Sequence, residues 1–210
     1  MNEKSEYVFR RAEAGDVHAA VPMMYSAGVE LYDYCFQTNK AKATDYIKHE
    51  FSSGIGMMGY LNHTVAVLND EVVGIGAFYS GHDIARLSIG TAKNIFSFYS
   101  IFSALAVIWR AKDTASVVMR PTRNVLYVAN FGVRPDMRSR GVGAALLKHK
   151  CEFAKQNGFS TYALDVAMTN PRAQALYERF GFKVTKEKYF SGRRRGHNVP
   201  DQRQMEISIA

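Results

Sequence analysis

The segment that follows Val133 combines arginines and glycines in an order that could bind a phosphate group. An apolar stretch is followed by a turn with Arg138, Arg140, Gly141 and Gly143, and a helical apolar pattern starts directly afterwards. Unpaired backbone N–H groups bind phosphate esters, and the first turn of a helix supplies them. Glycines let the turn close around an anion, and the helix dipole favours negative charge. This segment is therefore predicted to cradle a pyrophosphate.

A second cluster about thirty residues downstream strengthens the prediction, because a Gly-x-Gly at a helix start alone is typical of an ordinary loop. The two clusters together resemble motifs A and B of the GNAT (GCN5-related N-acetyltransferase) superfamily. Motif A is matched by Arg138-x-x-Gly141-x-Gly143-Ala144. Motif B is matched at the same spacing by Asn170, Ala173, Leu176, Tyr177, Gly181 and Phe182. The resemblance is close over residues 126–185 and extends elsewhere only to the order of the elements.

The resemblance implies an α/β (α+β) fold with a mixed, mostly antiparallel central sheet. Strands four and five are expected to splay apart at their ends, and helices are expected to flank the sheet. The chain has 210 residues, of which 47% are hydrophobic. This size and composition suit one globular domain, so residues 1–210 are predicted to form a single unit.

The resemblance also implies acetyl-CoA as the co-substrate, with its pantetheine arm along strand four and its pyrophosphate in the cradle. Gly132 favours a bulge or the close approach of a ligand, although a strand glycine can also simply weaken the strand. Asn170 precedes Pro171 and is equally typical of a helix cap. The residues expected to bind the cofactor are Phe131, Gly132, Val133, Arg138, Ser139, Arg140, Gly141, Val142, Gly143, Ala144, Asn170 and Tyr177.

Tyr177 is the predicted catalytic acid, because a positioned phenol can protonate the thiolate that leaves when an amine attacks a thioester. It could instead belong only to the apolar face of a short helix. Many relatives carry a glutamate as the base on strand four, where this chain has Tyr127. Asp165 on strand five is the predicted substitute. The alternatives are Asn130 acting on a water, Glu30 and Asp33. Asp165 could instead pair with an arginine.

The resemblance implies an N-acetyltransferase that transfers an acetyl group to a primary amine of a small molecule or peptide, by direct attack through a tetrahedral intermediate. The acceptor is expected near Tyr32, Tyr34 and Phe36 and near the basic run 193–195, although aromatic residues could equally be core. An inactive acyl-CoA sensor is the alternative. The net charge of +8 leaves nucleic-acid binding as a third hypothesis, but a polyanionic cofactor explains local positive charge as well.

Composition sets further expectations about partners and compartment. The polar N-terminal stretch lacks the apolar core of a secretion signal, which predicts a cytoplasmic protein. Cys35 and Cys151 have no spacing typical of a metal site, and neither have the histidines, so no metal is predicted. No membrane and no nucleic-acid partner are expected, and a homodimer is left open.

The elements that must position these residues are read from periodicity and turn residues. A helix is predicted from Asp16 to about Gln37, a shorter one over 44–51, and a hairpin that turns at Asn69 and Asp70. Residues 81–124 are predicted to be a helical insertion between strands three and four. Its apolar residues over 95–109 predict one helix that is apolar almost all round and must be covered. Extra core, a lid over the acceptor site and a dimer surface are the alternatives.

Overall fold

The computed structural model describes residues 7–192 and 196–209. It contains seven strands and seven α-helices within these residues. In chain order the elements are β1 (Val8–Arg11), α1 (Val17–Ser26), α2 (Val29–Phe36), α3 (Ala43–Ser53), β2 (His63–Leu68), β3 (Glu71–Tyr79), α4 (Ile84–Phe98), α5 (Ile101–Asp113), β4 (Val125–Val133), α6 (Val142–Gln156), β5 (Thr161–Ala167), α7 (Pro171–Phe180), β6 (Lys183–Lys188) and β7 (Gln202–Ser208).

One sheet runs through the molecule in the order β1-β2-β3-β4-β5-β7-β6. All neighbours are antiparallel except β4 and β5, which are parallel. The predicted mixed, mostly antiparallel α/β fold is confirmed. Asn69 and Asp70 both have positive φ, 50° and 62°, as the tight turn of the predicted β2–β3 hairpin requires.

Strands β4 and β5 pair only at their beginnings. Val125–Val128 lie opposite Thr161–Leu164, and the pairing ends there. Beyond that point β4 continues beside β3, and β5 continues beside β7 as far as Ala167. The two strands therefore diverge, which is the predicted splay.

A bulge in β4 lies at the start of this divergence. The register against β3 shifts between Ile75 and Ala77, so Asn130 and Phe131 face a single residue. Asn130 takes up the extra length in the left-handed conformation, with φ 51°, which asparagine tolerates better than most residues. The bulge falls two residues before Gly132. The close approach at Gly132 is made by the protein itself, because a Cβ there would lie 2.2 Å from the Met23 carbonyl oxygen of α1.

The predicted single helix from Asp16 to about Gln37 is wrong, because the structure divides it into α1 and α2. The break is at Ala27 and Gly28, and Gly28 has φ −166° and ψ 56°. Glycine disfavours a continuous helix, and here it lets the chain turn beside the sheet. Asp16 does not cap α1 with its side chain. Its carboxylate instead binds Arg10 at 2.8 Å and accepts the Glu13 backbone N–H.

The insertion is also two helices instead of one. Tyr99 and Ser100 are extended between α4 and α5, with ψ 153° and 155°. The buried Tyr99 side chain holds this turn against the core, because its hydroxyl donates to the Phe36 carbonyl oxygen at 2.6 Å. The inner sides of α4 and α5 pack on α3 and α2 and bury Leu87, Ile95 and Val107.

The outer side of α5 is not covered, contrary to prediction. Phe102 is 83% exposed and Trp109 is 59% exposed, with Ile101 and Leu105 on the same side. The even apolar pattern concealed this difference, because periodicity does not tell which of two apolar sides faces the core. Within the described ranges no helix is both long and apolar enough to cross a bilayer.

Because α1 packs directly on the backbone of β4 at Gly132, adding a side chain there should reduce the stability of the fold. We expect Gly132→Ala to destabilise the fold by about 1–3 kcal/mol, because the new methyl overlaps backbone and overpacking costs that much. Urea unfolding measures this difference.

Gly15→Ala is the matched control, since nothing lies within 4 Å of a Cβ at Gly15. Equal stability of the two variants would show that α1 can move away from β4 freely.

Candidate functional site

A cleft of about 1290 Å³ follows the opening between β4 and β5. One end is formed by the turn before α6 and by α7. The other end lies between α2 and the inserted helices, where Ile84, Ala92 and Ile108 contribute to the wall. The inserted helices thus form part of the cleft wall as well as part of the core.

The predicted phosphate-binding turn has a backbone shaped for an anion. Ser139 and Gly141 both have left-handed φ angles, 64° and 90°, and Gly141 is the N-cap of α6. The first-turn amides of α6 have no partner inside the helix and point out of its N-terminus. No atom of the described residues lies within 4 Å of a Cβ built at Gly141, and residues 141–144 line the cleft.

Side chains from three parts of the chain surround this turn. The Tyr7 hydroxyl donates to the Arg140 carbonyl oxygen at 2.9 Å, and Arg172 of α7 donates to the Ser139 hydroxyl at 3.0 Å. Arg138 lines the cleft, while Arg140 is exposed and is not part of the wall. The predicted binding residues that line the cleft are Phe131, Gly132, Val133, Arg138, Ser139, Gly141, Val142, Gly143, Ala144, Asn170 and Tyr177.

Gly143 has a packing role that its motif position does not reveal. A Cβ there would lie 3.2 Å from the Leu176 side chain and 3.4 Å from Phe131. Helix α6 can therefore approach α7 and β4 closely. This places the N-terminus of α6 at the cleft.

Tyr177 of α7 lies at the wall of the cleft and is largely buried. Its ring is 6.3 Å from the ring of Phe131. Burial raises the pKa of the Tyr177 hydroxyl, so the phenol keeps its proton at neutral pH. No hydrogen-bond acceptor among the described residues takes that proton. A buried phenol with an uncommitted O–H can act as a proton donor.

Asn170 caps α7, since its side-chain oxygen accepts the Ala173 N–H at 3.0 Å. The capping alternative is therefore observed. Asn170 also lines the cleft, so the cap leaves its side-chain N–H groups near any ligand there.

Asp165 is engaged by three donors. One carboxylate oxygen binds the buried Lys188 ammonium at 2.9 Å, and the other accepts the Met119 N–H at 2.5 Å and the Tyr127 hydroxyl at 2.9 Å. A carboxylate held in this way ties β5 to β4, to β6 and to the end of the insertion. An ion pair, the expected alternative to catalysis, is present, but its partner is Lys188 and not the expected arginine.

Tyr32 and Phe36 of α2, two of the residues predicted to lie near the acceptor, line the other half of the cleft. Tyr34 does not, because it is fully buried and donates to Asp113 of α5 at 2.5 Å. Helix α2 therefore has one side on the cleft, and Tyr34 lies on the side that contacts α5. The run 193–195 lies outside the described residues.

A series of hydrogen bonds connects His63 to Tyr32 through Asn130, which lies at the β4 bulge. The Tyr32 hydroxyl lies 2.6 Å from the side-chain oxygen of Asn130, and the Asn130 side-chain nitrogen lies 3.2 Å from Nε2 of His63. His63 is buried, and its Nδ1 is 2.9 Å from the Gly59 carbonyl oxygen. Burial lowers the pKa of His63 to about 4, so its imidazole is neutral at neutral pH.

Comparison with known proteins agrees with this geometry. The sequence model of the Acetyltransferase (GNAT) family matches residues 29–182, which is most of the chain. The chain belongs to the GNAT acetyltransferase family.

Individual GNAT relatives match only in part. The [Ribosomal protein bS18]-alanine N-acetyltransferase of Escherichia coli is 42% identical over 53 residues, which cover 25% of this chain and 36% of that protein. N-acetyltransferase family 8 member 3 of Rattus norvegicus is 32% identical over 78 residues, which cover 37% of this chain and 34% of that protein. The chain thus spans about a third of the length of these curated relatives.

Solved structures share the GNAT fold over nearly the whole chain. An N-acetyltransferase from Staphylococcus aureus Mu50 superposes with a TM-score of 0.64 at 15% identity, covering 95% of this chain and 100% of that one. The acetyltransferase yncA from Salmonella typhimurium, solved with acetyl-CoA, has a TM-score of 0.55 at 16% identity, covering 98% and 95% of the two chains.

Sequence reasoning missed two buried polar groups beside the GNAT cleft. One is His63, and the other is Glu50 of α3, which accepts the Tyr46 hydroxyl at 2.5 Å and the Thr91 hydroxyl at 2.6 Å. Burial raises the pKa of Glu50 although these donors oppose the shift. A signal was available, because Glu50 falls on the same helical side as Tyr46, Ile47 and Phe51, all of which are buried. Within 7–192 and 196–209, no cluster of three metal-binding side chains is present.

The buried neutral His63 predicts an acid-sensitive component of stability. The unfolded chain binds a proton near pH 6.5, whereas the folded chain binds it only near the lowered pKa of about 4. The contribution is complete above pH 6.5 and is lost as the pH falls toward 4, at up to about 1.4 kcal/mol per pH unit. Urea unfolding between pH 4 and 7 measures this slope.

His63→Gln, which cannot titrate, removes that component. We expect the difference in unfolding free energy between wild type and variant to shrink as the pH falls from 6.5 to 4. Parallel curves over this range would contradict the assignment of a neutral buried imidazole.

Proposed function

We propose that the protein is an acetyl-CoA-dependent N-acetyltransferase that acts on a primary amine of a small molecule or peptide by direct attack. One observation carries the proposal. A single cleft joins the anion-binding turn at the N-terminus of α6, the buried phenol of Tyr177 and a separately walled half beside α2. Such a cleft can accommodate a phosphorylated donor and an amine acceptor at the same time.

The cofactor half fits the chemistry of acetyl-CoA. The open backbone amides from Gly141 to Ala144 and the Arg138 guanidinium supply hydrogen bonds and positive charge for a pyrophosphate. Beyond Val128 the side of β4 that faces the opening has no partner strand among the described residues, so backbone groups at Phe131, Gly132 and Val133 can hydrogen-bond an extended amide-containing arm. Asn170 borders the same half of the cleft.

Tyr177 supplies the proton of the leaving group in this proposal. Its raised pKa keeps the phenol protonated until a thiolate, a strong base beside it, develops. Asp165 is not proposed as the base, because Lys188 and two further donors hold its carboxylate. The proton that the attacking amine releases leaves to solvent through the open cleft, where the exposed Glu30 forms part of the wall.

An acyl-CoA sensor without turnover is the second candidate. It is favoured by the strand position that carries Tyr127, where many relatives have a glutamate, and by Asp165, whose carboxylate is held by Lys188 and two further donors. A sensor would bind acetyl-CoA without releasing thiol in the presence of amines.

The two cysteines, Cys35 and Cys151, are free thiols, which supports a reducing compartment such as the cytoplasm.

The homodimer stays a prediction. The exposed side of α5, around Phe102 and Trp109, is the surface where such a contact would form.

We expect acetyl-CoA at a hundred times its dissociation constant to stabilise the fold by about 2.7 kcal/mol, which raises Tm by about 5–10 °C for a chain of this size. Arg138→Ala should weaken binding by about threefold to tenfold, since one exposed charge–phosphate contact is lost. Thermal unfolding with titrated acetyl-CoA measures both effects.

Lys155→Ala is the matched control, because it removes one positive charge at the other end of α6. S-acetyl-pantetheine, which has no pyrophosphate, should stabilise far less than acetyl-CoA. Equal stabilisation by the two ligands would reject the cradle.

We expect Tyr177→Phe to lower kcat by roughly 10²-fold while the dissociation constant of acetyl-CoA stays unchanged, because the variant removes only the proton donor. Thiol release and calorimetric binding measure the two quantities. Unchanged kcat at saturating substrates would reject the acid role.

A further inference from the structure

In the series of hydrogen bonds from the Gly59 carbonyl to the Tyr32 hydroxyl, the donor and the acceptor of each bond can be assigned in only one way. The Gly59 carbonyl oxygen can only accept, so Nδ1 of His63, 2.9 Å away, must carry the ring proton. The imidazole is neutral, because burial lowers its pKa to about 4. Its Nε2 is therefore unprotonated and can only accept.

The unprotonated Nε2 of His63 fixes the orientation of the Asn130 side-chain amide. A hydrogen-bond acceptor at Nε2 of His63 requires a donor, which selects the NH₂ end of the Asn130 side chain at 3.2 Å. The Met57 carbonyl oxygen, 3.5 Å from the same nitrogen, is a second acceptor on that side. The Asn130 side-chain oxygen therefore faces Tyr32, 2.6 Å away.

The last hydrogen bond of this series decides whether the Tyr32 hydroxyl can donate or only accept at the cleft. Because the Asn130 oxygen can only accept, the Tyr32 hydroxyl donates its single proton to it. The Tyr32 oxygen keeps its lone pairs and offers no further proton. Burial raises the pKa of this phenol, so it remains a neutral acceptor at neutral pH.

Two of the buried tyrosines that line the cleft, Tyr32 and Tyr177, thus have opposite polarity. Tyr177 has an uncommitted O–H to donate, and Tyr32 can only accept. An attacking amine brings N–H donors and must turn its lone pair toward the thioester carbon. A leaving thiolate requires a donor.

We infer that the Tyr32 oxygen accepts an N–H of the acceptor amine and so orients the amine lone pair, and that Asn130 and His63 are positioning residues that fix this polarity. The inference rests on the proposed N-acetyltransferase function and assigns the binding of its second substrate. No proton is transferred to Tyr32. The chemical class of the ligand is a primary amine that enters the α2 side of the cleft.

The first test is the protonation pattern of His63, which does not depend on turnover. Nitrogen-15 NMR of the histidine side chains at pH 7 should show a protonated Nδ1 and an unprotonated Nε2 for His63. The signals are assigned by their loss in His63→Gln. A proton on Nε2 would overturn the inference, because the Asn130 amide would then be reversed and Tyr32 would be free to donate into the cleft.

The second test is kinetic, with n-butylamine and alanine amide as acceptors. Tyr32→Phe should raise the amine KM by about fivefold to tenfold, the loss of one neutral hydrogen bond, with unchanged acetyl-CoA affinity. Asn130→Gly removes the amide but tolerates the left-handed backbone, and should raise the amine KM similarly. The double variant should be little worse than either single one, because both remove the same interaction.

Tyr25→Phe is the matched control, since Tyr25 donates to Asp33 and does not line the cleft. It should leave the amine KM unchanged. If the wild type is active, an unchanged amine KM in Tyr32→Phe or additive losses in the double variant would overturn this inference. The proposed N-acetyltransferase function would not be affected by that result. A wild type that turns over neither amine would count against the proposed function, and the NMR result would still decide the polarity of Tyr32.

Discussion

The separation of β4 from β5 is the constraint on which the rest of the structure depends. Parallel pairing holds these strands together over four residues each, from Val125 and from Thr161, and then ends. Beyond Val128 and Leu164, each strand pairs only with its outer neighbour, β3 or β7, in the part of the chain that the structure describes. An opening in the middle of a sheet leaves backbone groups that need partners. In the function proposed above, the extended amide-containing arm of acetyl-CoA would satisfy that need.

Several neighbouring features support this separation. The bulge at Asn130 turns the end of β4, and α1 packs against the outer backbone of Gly132. Across the opening, the buried pair of Asp165 and Lys188 ties β5 to β6. Removing one partner of a buried ion pair leaves an uncompensated charge. Asp165 therefore contributes to the shape of the cleft, whereas it was predicted from the sequence as the substitute base.

The residues predicted to bind the cofactor line the cleft more completely than those predicted to lie near the acceptor. The cofactor motifs depend on local backbone geometry, namely glycines at a helix start and the pattern from Asn170 to Phe182. They can therefore be recognised in the sequence without knowledge of the tertiary structure. The contacts of Tyr32 could not be predicted in that way. They connect α2, β2 and β4, and residues 67 and 98 positions apart are brought together only by the sheet. The same limit applies to Asp165, whose lysine partner lies on another strand.

The helices show a related limit. Apolar periodicity indicated helices in the correct regions, but it did not reveal the breaks at Gly28 and at Tyr99. Each break has a tertiary cause, since Gly28 lies where α2 turns along the cleft and Tyr99 is anchored to Phe36. Periodicity also gave no reason to leave Phe102 exposed. The two sides of α5 are similarly apolar, and only the packing of α2 decides which one is buried.

Hydrogen exchange along β4 and the α6 turn tests most directly whether the opening in the sheet is the cofactor site. Amides within residues 129–133 and 139–144 should be protected when acetyl-CoA is added, whereas the β1–β2 pair should exchange at an unchanged rate. Uniform protection of the whole chain, or none at the opening, would contradict the view that the sheet separates there in order to bind its co-substrate.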